Sequence, residues 1–258
     1  MHIPSQRRQA TWLPACCHLF SMRSSLLAAM RDRGGVITRA DALRIVDRHI
    51  IDKALKAAAI VRTFPSTYVL ADIASDVRTL DRAAVAYVRR GALSHIAALG
   101  VYGVVHESTD DRRHLTTAPG AQIRPTAGLV VHRRRGFMPE PPHVVVRCGL
   151  PVVRLEQAIV ESWPLLTPGE RRKTVITAVN SGFTTGARLL DALGSMHTPS
   201  GSAEMRQLFG LLRLGCRSEL ELWGHAEVFD ESAWDPSACS TSCERRRGRS
   251  FWTAPIST

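Results

Sequence analysis

The sequence predicts an α+β fold, with helices towards both ends of the 258-residue chain and a small sheet between them. Apolar residues recur every three to four positions over residues 22–56 and again beyond Pro151, which is the period of half-buried helices. In the middle, short β-branched runs are separated by Asp, Pro and Gly clusters, as in strands joined by turns. The composition, 45% hydrophobic and 22% charged, is that of a chain that folds.

The first predicted helix begins at Met22 and is stopped by the pair Gly34-Gly35. A second begins at Thr38, with Asp41 three residues later, an acidic variant of the capping box. A third begins after Asp47, a favourable N-cap, and runs to Lys56. The apolar residues of these helices are expected to face a common core: Leu26, Leu27, Met30, Leu43, Ile45, Val46, Ile50, Ile51, Ala54 and Leu55.

The apolar period then changes from about 3.6 to two. Residues 60–64 and 68–70 are short β-branched and aromatic runs, and Pro65, Ser66 and Thr67 between them favour a turn, so we predict a hairpin. Three helices followed by a hairpin is the element order of a winged helix-turn-helix. We assign this fold to residues 22–73.

Residues 74–230 are predicted to form an α+β middle domain. Residues 75–90 are interpreted as a connector or irregular strand, and residues 91–100 as a short buried helix. Four strands follow and are expected to form a small, mostly antiparallel sheet: 104–105, 114–117, 129–132 and 144–147. Helices are then predicted at 154–163, 168–181, 185–193 and 203–214, and another amphipathic helix starts at Cys216.

The residue pattern at the two ends of the chain differs from that of the rest. Residues 1–21 hold an interrupted apolar stretch too short for a signal peptide or membrane span, so we expect a disordered leader and a cytoplasmic protein, with Met22 as a candidate translation start. Residues 231–258 have no helical or strand period, which predicts a disordered tail.

The formal net charge of +11 favours a polyanionic partner, because clustered cations release the counterions condensed on phosphates. Without residues 1–21 and 231–258 the charge is still +8, so the excess belongs to the body of the chain. Lysine occurs only at positions 53, 56 and 173, and the preference for arginine also fits a genome rich in G and C. Coding bias is therefore the alternative source of the charge.

The third helix carries the best candidates for DNA contact, an outward basic face of Arg48, His49, Lys53 and Lys56. On the hairpin the candidates are Arg62, Thr63, Ser66 and Thr67, for minor-groove or backbone contact. The alternative for both sets is a solvated polar face. Arg133, Arg134 and Arg135 form the densest basic run of the body, either a second phosphate-contact surface or a solvated loop.

The segments Gly34-Gly-Val-Ile-Thr-Arg-Ala-Asp-Ala-Leu43 and Val61-Arg-Thr-Phe-Pro-Ser-Thr-Tyr-Val69 resemble the N-terminal winged-helix domain of AbiEi-type antitoxins of type IV toxin-antitoxin systems. The resemblance implies a DNA-binding antitoxin or autoregulatory transcription factor, whose partners would be double-stranded DNA, a toxin protein and a second copy of the chain. Two residues depart from the family pattern. Ser66 stands where glycine is usual, which makes a left-handed conformation less comfortable, and Asp52 lies among the bases.

Three later segments also resemble known proteins: Gly91-Ala-Leu-Ser-His95, Leu155-Glu-Gln-Ala-Ile-Val-Glu-Ser162 and Cys216-Arg-Ser-Glu-Leu-Glu-Leu-Trp-Gly-His225. They are similar to an actinobacterial arrangement in which this winged-helix domain precedes a Vsr-like endonuclease domain, and the resemblance implies metal-binding carboxylates on adjacent strands of that domain. Glu219 and Glu221 begin the corresponding region here, but no paired acidic strands follow. The alternative function is thus an inactive remnant of such a nuclease, its catalytic domain lost through a frameshift near Asp230. A genuine unusual tail and a decayed reading frame are further alternatives.

We expect no metal site, cofactor or catalytic residues. The six cysteines have no zinc-ligand or disulfide spacing. His95, His106, His114 and His132 lack close ligand spacing and a carboxylate partner, so they are interpreted as core or surface histidines. Ser94 and His95 with Asp81 lack the nucleophile elbow and oxyanion loop of a hydrolase.

Overall fold

The computed structural model describes residues 14–105, 112–196 and 199–227. Their fold is α+β, as predicted, with two sheets and helices packed around them. The predicted tail, residues 231–258, lies outside the described residues, as do residues 1–13 and His106. No helix in the described part of the chain has both the length and the apolar composition needed to cross a bilayer.

The N-terminal part is a winged helix-turn-helix. Its elements are α1 (Pro14–Asp32), β1 (Val36–Thr38), α2 (Arg39–Ala42), α3 (Arg48–Lys56), β2 (Ile60–Phe64) and β3 (Thr67–Leu70). β3 lies between β1 and β2, and both pairings are antiparallel. The hairpin of β2 and β3, residues 60–70, is called the wing below. The predicted bounds of α3 and β2 are confirmed, and β3 begins at Thr67, one residue before the predicted strand.

Two features of this part differ from the prediction. The first helix begins at Pro14 rather than Met22, so residues 14–21 are helical and the expectation of a disordered leader over them was wrong. The strand β1 was not predicted, because three residues beside two glycines carry too little periodicity. At α2, the Thr38 side chain accepts a hydrogen bond from the Asp41 backbone N–H and donates one to the Asp41 carboxylate.

Residues 75–90, interpreted as a connector or irregular strand, contain the helix α4 (Val77–Val88). Its N-cap is Asp76, whose carboxylate accepts hydrogen bonds from the backbone N–H and the hydroxyl of Thr79, both at 2.8 Å. α4 contacts strands of both sheets and therefore joins the winged helix to the middle region.

The middle of the chain forms β4 (Gly91–Leu93), α5 (His95–Tyr102), β5 (Arg113–Thr117), β6 (Leu129–Arg133), β7 (Val144–Arg147) and β8 (Leu150–Val153). Among the described residues these strands form one mixed sheet in the order β6-β5-β4-β8-β7. The pairs β5-β6 and β4-β8 are parallel and the other two antiparallel, so the sheet is not mostly antiparallel. Residues 91–100 divide into a strand and a helix, and residues 104–105 are not a strand.

The C-terminal helices are α6 (Leu155–Ser162), α7 (Pro168–Asn180), α8 (Gly186–Ser195), α9 (Ser202–Leu214) and α10 (Glu219–Glu227). The first four confirm predicted helices to within two residues at each end. Thr167 and Glu170 form a complete capping box at α7, and the Thr185 side chain caps α8 by accepting from the Arg188 N–H.

Within the described residues, the buried hydrophobic side chains form two clusters. The smaller one joins α1, α3 and the wing, with Leu26, Met30, Ile50, Ile51 and Tyr68 among its members. The larger one fills the space between the five-stranded sheet and the helices, and it includes Val36, Phe64 and Val69 of the winged helix. Leu43, predicted to face the core, is 46% exposed because the chain leaves α2 at Ala42.

Candidate functional site

The orientation of α3 is set by its apolar side. Ile50, Ile51 and Ala54 are buried against α1 and the wing. The residues on the opposite side of the helix therefore point away from the core. All four predicted basic residues, Arg48, His49, Lys53 and Lys56, are exposed.

The charges of this face are only partly neutralised. Arg48 Nε lies 3.7 Å from Asp52 Oδ2, with the two side chains 75% and 48% exposed, so the pair contributes little stability. No described carboxylate forms an ion pair with Lys53 or Lys56. The helix thus presents a positively charged face to solvent, and the weak Arg48–Asp52 ion pair is part of it.

The wing residues differ in accessibility. Arg62 and Ser66 are exposed, whereas Thr63 is half-buried and Thr67 is buried. The register slips between Arg62 and Phe64, so Thr63 is the extra residue of an irregularity in β2. Ser66 has φ 58°, the left-handed conformation in which a side chain is less comfortable than glycine.

A cleft of about 710 Å³ lies beside the turn of the wing. Phe64 of the wing stacks on Tyr87 of α4 with ring centroids 5.9 Å apart, and the Tyr87 hydroxyl donates a hydrogen bond to the Arg124 carbonyl. These contacts bring exposed arginines to the cleft beside Ser66, namely Arg89, Arg90 and Arg124. These arginines were not predicted, because residues 89–90 and Arg124 come from two separate parts of the chain that only the fold brings beside the wing.

A second candidate site lies on the five-stranded sheet, where His95, His114 and His132 meet. His114 on β5 pairs with Val130 of β6, and His132 lies two residues further along that strand, so both histidines share one face of the sheet. His95 follows β4 and starts α5. The three histidines were interpreted as core or surface histidines without ligand spacing, whereas the fold places them side by side. His95, His114 and His132 are called the histidine cluster below.

The rings of the histidine cluster pack closely. His95 stacks on His132 with centroids 3.6 Å apart, and His114 Nδ1 lies 3.0 Å from His132 Nε2, within hydrogen-bond distance. Each residue offers one nitrogen within 4.8 Å of the nitrogens of the other two. His114 is 1% exposed and His95 9%. His95 also has φ 51°, an unusual conformation for a residue with a side chain.

A buried carboxylate adjoins the histidine cluster, although none was predicted. Glu161 Oε2 on α6 lies 3.7 Å from His95 Nδ1, and its side chain is 10% exposed. Glu161 Oε1 accepts a hydrogen bond from Gln157 at 2.8 Å and lies 3.5 Å from Arg134 Nη1. Glu161 Oε2 is buried and has no hydrogen-bond partner within the described residues.

Burial controls the ionisation of this site. Burial is the largest cause and, together with the neighbouring His132 and His114, it lowers the pKa of His95 to about 2. Burial, His114 and Arg112 together lower the pKa of His132 to about 4, and burial is the largest of these causes. Burial raises the pKa of Glu161, against the hydrogen bond from Gln157 and the charge of Arg134. At neutral pH the His95 and His132 rings are therefore neutral, and the Glu161–His95 contact is not an ion pair.

The arrangement differs from a catalytic triad. Ser94 Oγ, 3.0 Å away, and Glu161 Oε2 both approach the same nitrogen of His95, Nδ1. In a triad the nucleophile and the carboxylate engage opposite nitrogens of the ring. Asp81 is directed elsewhere, with its Oδ1 3.5 Å from Arg113 Nη1.

The remaining candidates from the sequence are the basic run of residues 133–135 and the pair Glu219 and Glu221. Within the basic run of residues 133–135, Arg134 turns towards Glu161, whereas Arg133 and Arg135 are exposed. Glu219 and Glu221 lie on a helix rather than on strands. Glu219 pairs with Arg172 at 3.0 Å, and the Glu221 carboxylate accepts the backbone N–H groups of Arg217 and Ser218.

The fold defines an α+β protein that begins with a winged helix-turn-helix. No family model and no curated protein matches the chain. The crystal structure of the RV2827C protein from Mycobacterium tuberculosis is similar to it, with a TM-score of 0.51 and 16% sequence identity, over 79% of this chain and 80% of that chain. At this identity the similarity concerns the fold alone.

Proposed function

We propose that this protein binds double-stranded DNA through its winged helix-turn-helix and acts as an antitoxin-like or autoregulatory transcription factor. The observation that carries the proposal is the orientation of α3, whose apolar side is packed while Arg48, His49, Lys53 and Lys56 face solvent. An α-helix fits the width of the major groove, and a recognition helix presents its polar face in this way. The resemblance to AbiEi-type antitoxins supports the same function.

The residues of α3 are suited to different contacts. Lys53 and Lys56 are point charges without an ion-pair partner among the described residues, which suits phosphate oxygens. Arg48 has a planar guanidinium that can bind guanine with two hydrogen bonds. Its exposed pair with Asp52 costs little to break, in the range of about 0–1 kcal/mol.

The wing and the neighbouring cleft extend this surface. Arg62 and Ser66 are exposed on the wing, and Arg89, Arg90 and Arg124 line the cleft beside its turn. Arginines placed beside a wing suit the phosphate backbone that flanks the groove occupied by the helix. We therefore include them in the proposed interface.

The test is the salt dependence of binding to duplex DNA from the region upstream of the protein's own gene, measured by fluorescence anisotropy. The double variant Lys53→Ala/Lys56→Ala should weaken binding and reduce the slope of log K against log salt by about 2, since each lost phosphate contact removes about 0.9. Lys173→Ala is the matched control, because Lys173 is exposed on α7, far along the chain from the winged helix. Equal slopes for the double variant and the control would contradict the proposal.

The regulatory part of the proposal requires sequence preference. The upstream duplex should bind more tightly than a shuffled duplex of equal composition, and Arg48→Ala should reduce the difference by about 1–3 kcal/mol if Arg48 contacts a base. A reporter driven by the upstream region should be repressed by the wild type and released by Lys53→Ala/Lys56→Ala. Equal affinity for both duplexes would remove the transcription-factor role while leaving DNA binding intact.

A further inference from the structure

We propose that the histidine cluster, together with Glu161, binds one divalent transition-metal ion, with Zn²⁺ as the best match. The site would take three imidazole nitrogens and one carboxylate oxygen. Imidazole nitrogens and carboxylate oxygens are both zinc ligands, and zinc is usually four-coordinate in proteins. The inference does not depend on DNA binding, because it concerns the five-stranded sheet and not the winged helix.

The spacing of the donors suits the proposal. At a Zn–N distance of about 2.1 Å, tetrahedral ligand atoms lie about 3.4 Å apart. The nitrogens of His95, His114 and His132 already lie within 4.8 Å of one another. The difference between 4.8 and 3.4 Å can be closed by rotating the imidazole rings, without moving the backbone. The strands and α5 therefore already hold the three histidines close to a metal-binding geometry.

The surroundings point to a ligand as well. His95 and His114 are buried and His132 is half-buried beside the Glu161 carboxylate, and removing such polar groups from water costs free energy unless each polar atom gains a partner. Glu161 Oε2 has none among the described residues, although it is buried and faces His95 at 3.7 Å. A cation between the rings and this oxygen would provide the partner.

The Glu161 carboxylate is oriented by contacts to its other oxygen, Oε1. Gln157 donates to Glu161 Oε1 at 2.8 Å from one turn earlier on α6, and Arg134 approaches the same atom. Such outer contacts orient a ligating carboxylate and are typical of metal sites. Gln157 is thus a positioning residue, and Glu161 Oε2 is the atom left to bind the metal.

The donor set also selects the class of ion. Neutral imidazole favours Zn²⁺ and its late transition-metal neighbours, whereas Mg²⁺ and Ca²⁺ prefer oxygen ligands. Among the described residues, Glu161 is the carboxylate that lies beside the histidine cluster. We therefore expect Zn²⁺, Co²⁺ and Ni²⁺ to bind and Mg²⁺ to be excluded.

The experiment uses the full-length, untagged chain after treatment with a chelator. Zn²⁺ alone is titrated by calorimetry, and native mass spectrometry counts the ions bound. We expect one Zn²⁺ per chain, a rise in melting temperature with Zn²⁺, and neither effect with Mg²⁺. With Co²⁺ we expect the visible bands of a four-coordinate nitrogen and oxygen site without a thiolate charge-transfer band.

Variants locate the ion. His95→Asn and His132→Asn should each weaken Zn²⁺ binding by more than about 100-fold, and Glu161→Gln by about 10- to 100-fold. His143→Asn is the matched control, because His143 is a half-buried histidine outside the cluster, and it should bind like the wild type. Circular dichroism of the metal-free proteins checks that each variant folds.

Each outcome of these experiments either supports or overturns the proposed Zn²⁺ site. Loss of one equivalent of Zn²⁺ in the cluster variants, with His143→Asn unchanged, supports the site. Absence of stoichiometric Zn²⁺ binding to the wild type overturns it, as does a thiolate band with Co²⁺, which would place the ion on cysteine. Should the variants fail to fold, X-ray absorption of the wild-type Zn²⁺ complex decides, since a shell of nitrogen and oxygen with imidazole scattering supports the site and a sulfur shell overturns it.

Discussion

The backbone N–H of Arg39 donates a hydrogen bond to the carbonyl oxygen of Ser66 at 2.7 Å. This contact fastens the turn of the wing to the first residue of α2. The bond involves only backbone atoms, so it fixes the position of Ser66 whatever the side chain is. Ser66 has φ 58° in this position.

The left-handed backbone of Ser66 predicts that Ser66→Gly stabilises the fold. Glycine adopts positive φ without steric cost, whereas other residues lose about 1–2 kcal/mol. The greater freedom of glycine in the unfolded chain offsets part of this gain, so we expect an increase of up to about 1 kcal/mol in the free energy of unfolding by urea. Ser66→Ala is the control and should give no increase. A Ser66→Gly protein no more stable than Ser66→Ala would contradict the prediction.

The Asp76 carboxylate, which caps α4, is predicted to stabilise the fold in a pH-dependent way. Asp76→Ala should lower the free energy of unfolding at pH 7 by about 1 kcal/mol, because the Thr79 N–H loses its acceptor. The hydrogen bonds from Thr79 lower the pKa of Asp76, so its stabilisation is present above the usual value of 3.8 and is lost as the pH falls through the lower folded-state value. The difference between wild type and variant should therefore disappear in acid. A difference that is constant with pH would contradict this account.

Asp81 should show the opposite pH dependence. Burial raises its pKa from 3.8 to about 6, against the attraction of Arg113. The folded state binds the proton more tightly, so the contribution of Asp81 to stability is complete below pH 3.8 and is lost as the pH rises through about 6. The free energy of unfolding of the wild type minus that of Asp81→Asn should fall between pH 4 and 6 and level off above. A flat difference over this range would show that Asp81 titrates normally.

Two glycines of α8 should respond in opposite ways to the same substitution. A Cβ at Gly186 would lie 2.7 Å from the Phe209 carbonyl oxygen of α9, so Gly186→Ala should destabilise the fold by about 1–3 kcal/mol. At Gly194 the Cβ would meet no atom within 4 Å, and alanine favours the helix by up to about 1 kcal/mol. Thermal unfolding of the two variants provides the comparison. Equal melting temperatures would contradict the close approach of α8 and α9.

The elements that the sequence predicts well are those with a strong local signal. In α3, apolar residues at helical spacing follow a favourable N-cap, and its bounds were correct. The helix α4 was missed because its buried side includes Thr79, Asp81 and two alanines, which hides the apolar period. The strand β8 was also not predicted, because it has only four residues and one of them is Pro151, which is unfavourable in the interior of a strand.

The candidate sites were predictable to different degrees. The basic face of α3 depends on the spacing of neighbouring residues, so the sequence is sufficient to identify it. The histidine cluster depends on which strands pair, because His114 and His132 meet only through the parallel pairing of β5 with β6. Glu161 comes from α6, still further along the chain. Such long-range pairing is set by the whole fold and leaves no local pattern.

The position of α4 between the two sheets bears on how the molecule unfolds. Val36, Phe64 and Val69 are buried in the same cluster as the five-stranded sheet, although they belong to the winged helix. A fragment ending at residue 73 would expose these side chains to water and should lose stability or associate. We therefore expect the intact chain to melt in one cooperative transition, so that a stabilising ligand of either half raises the melting temperature of both.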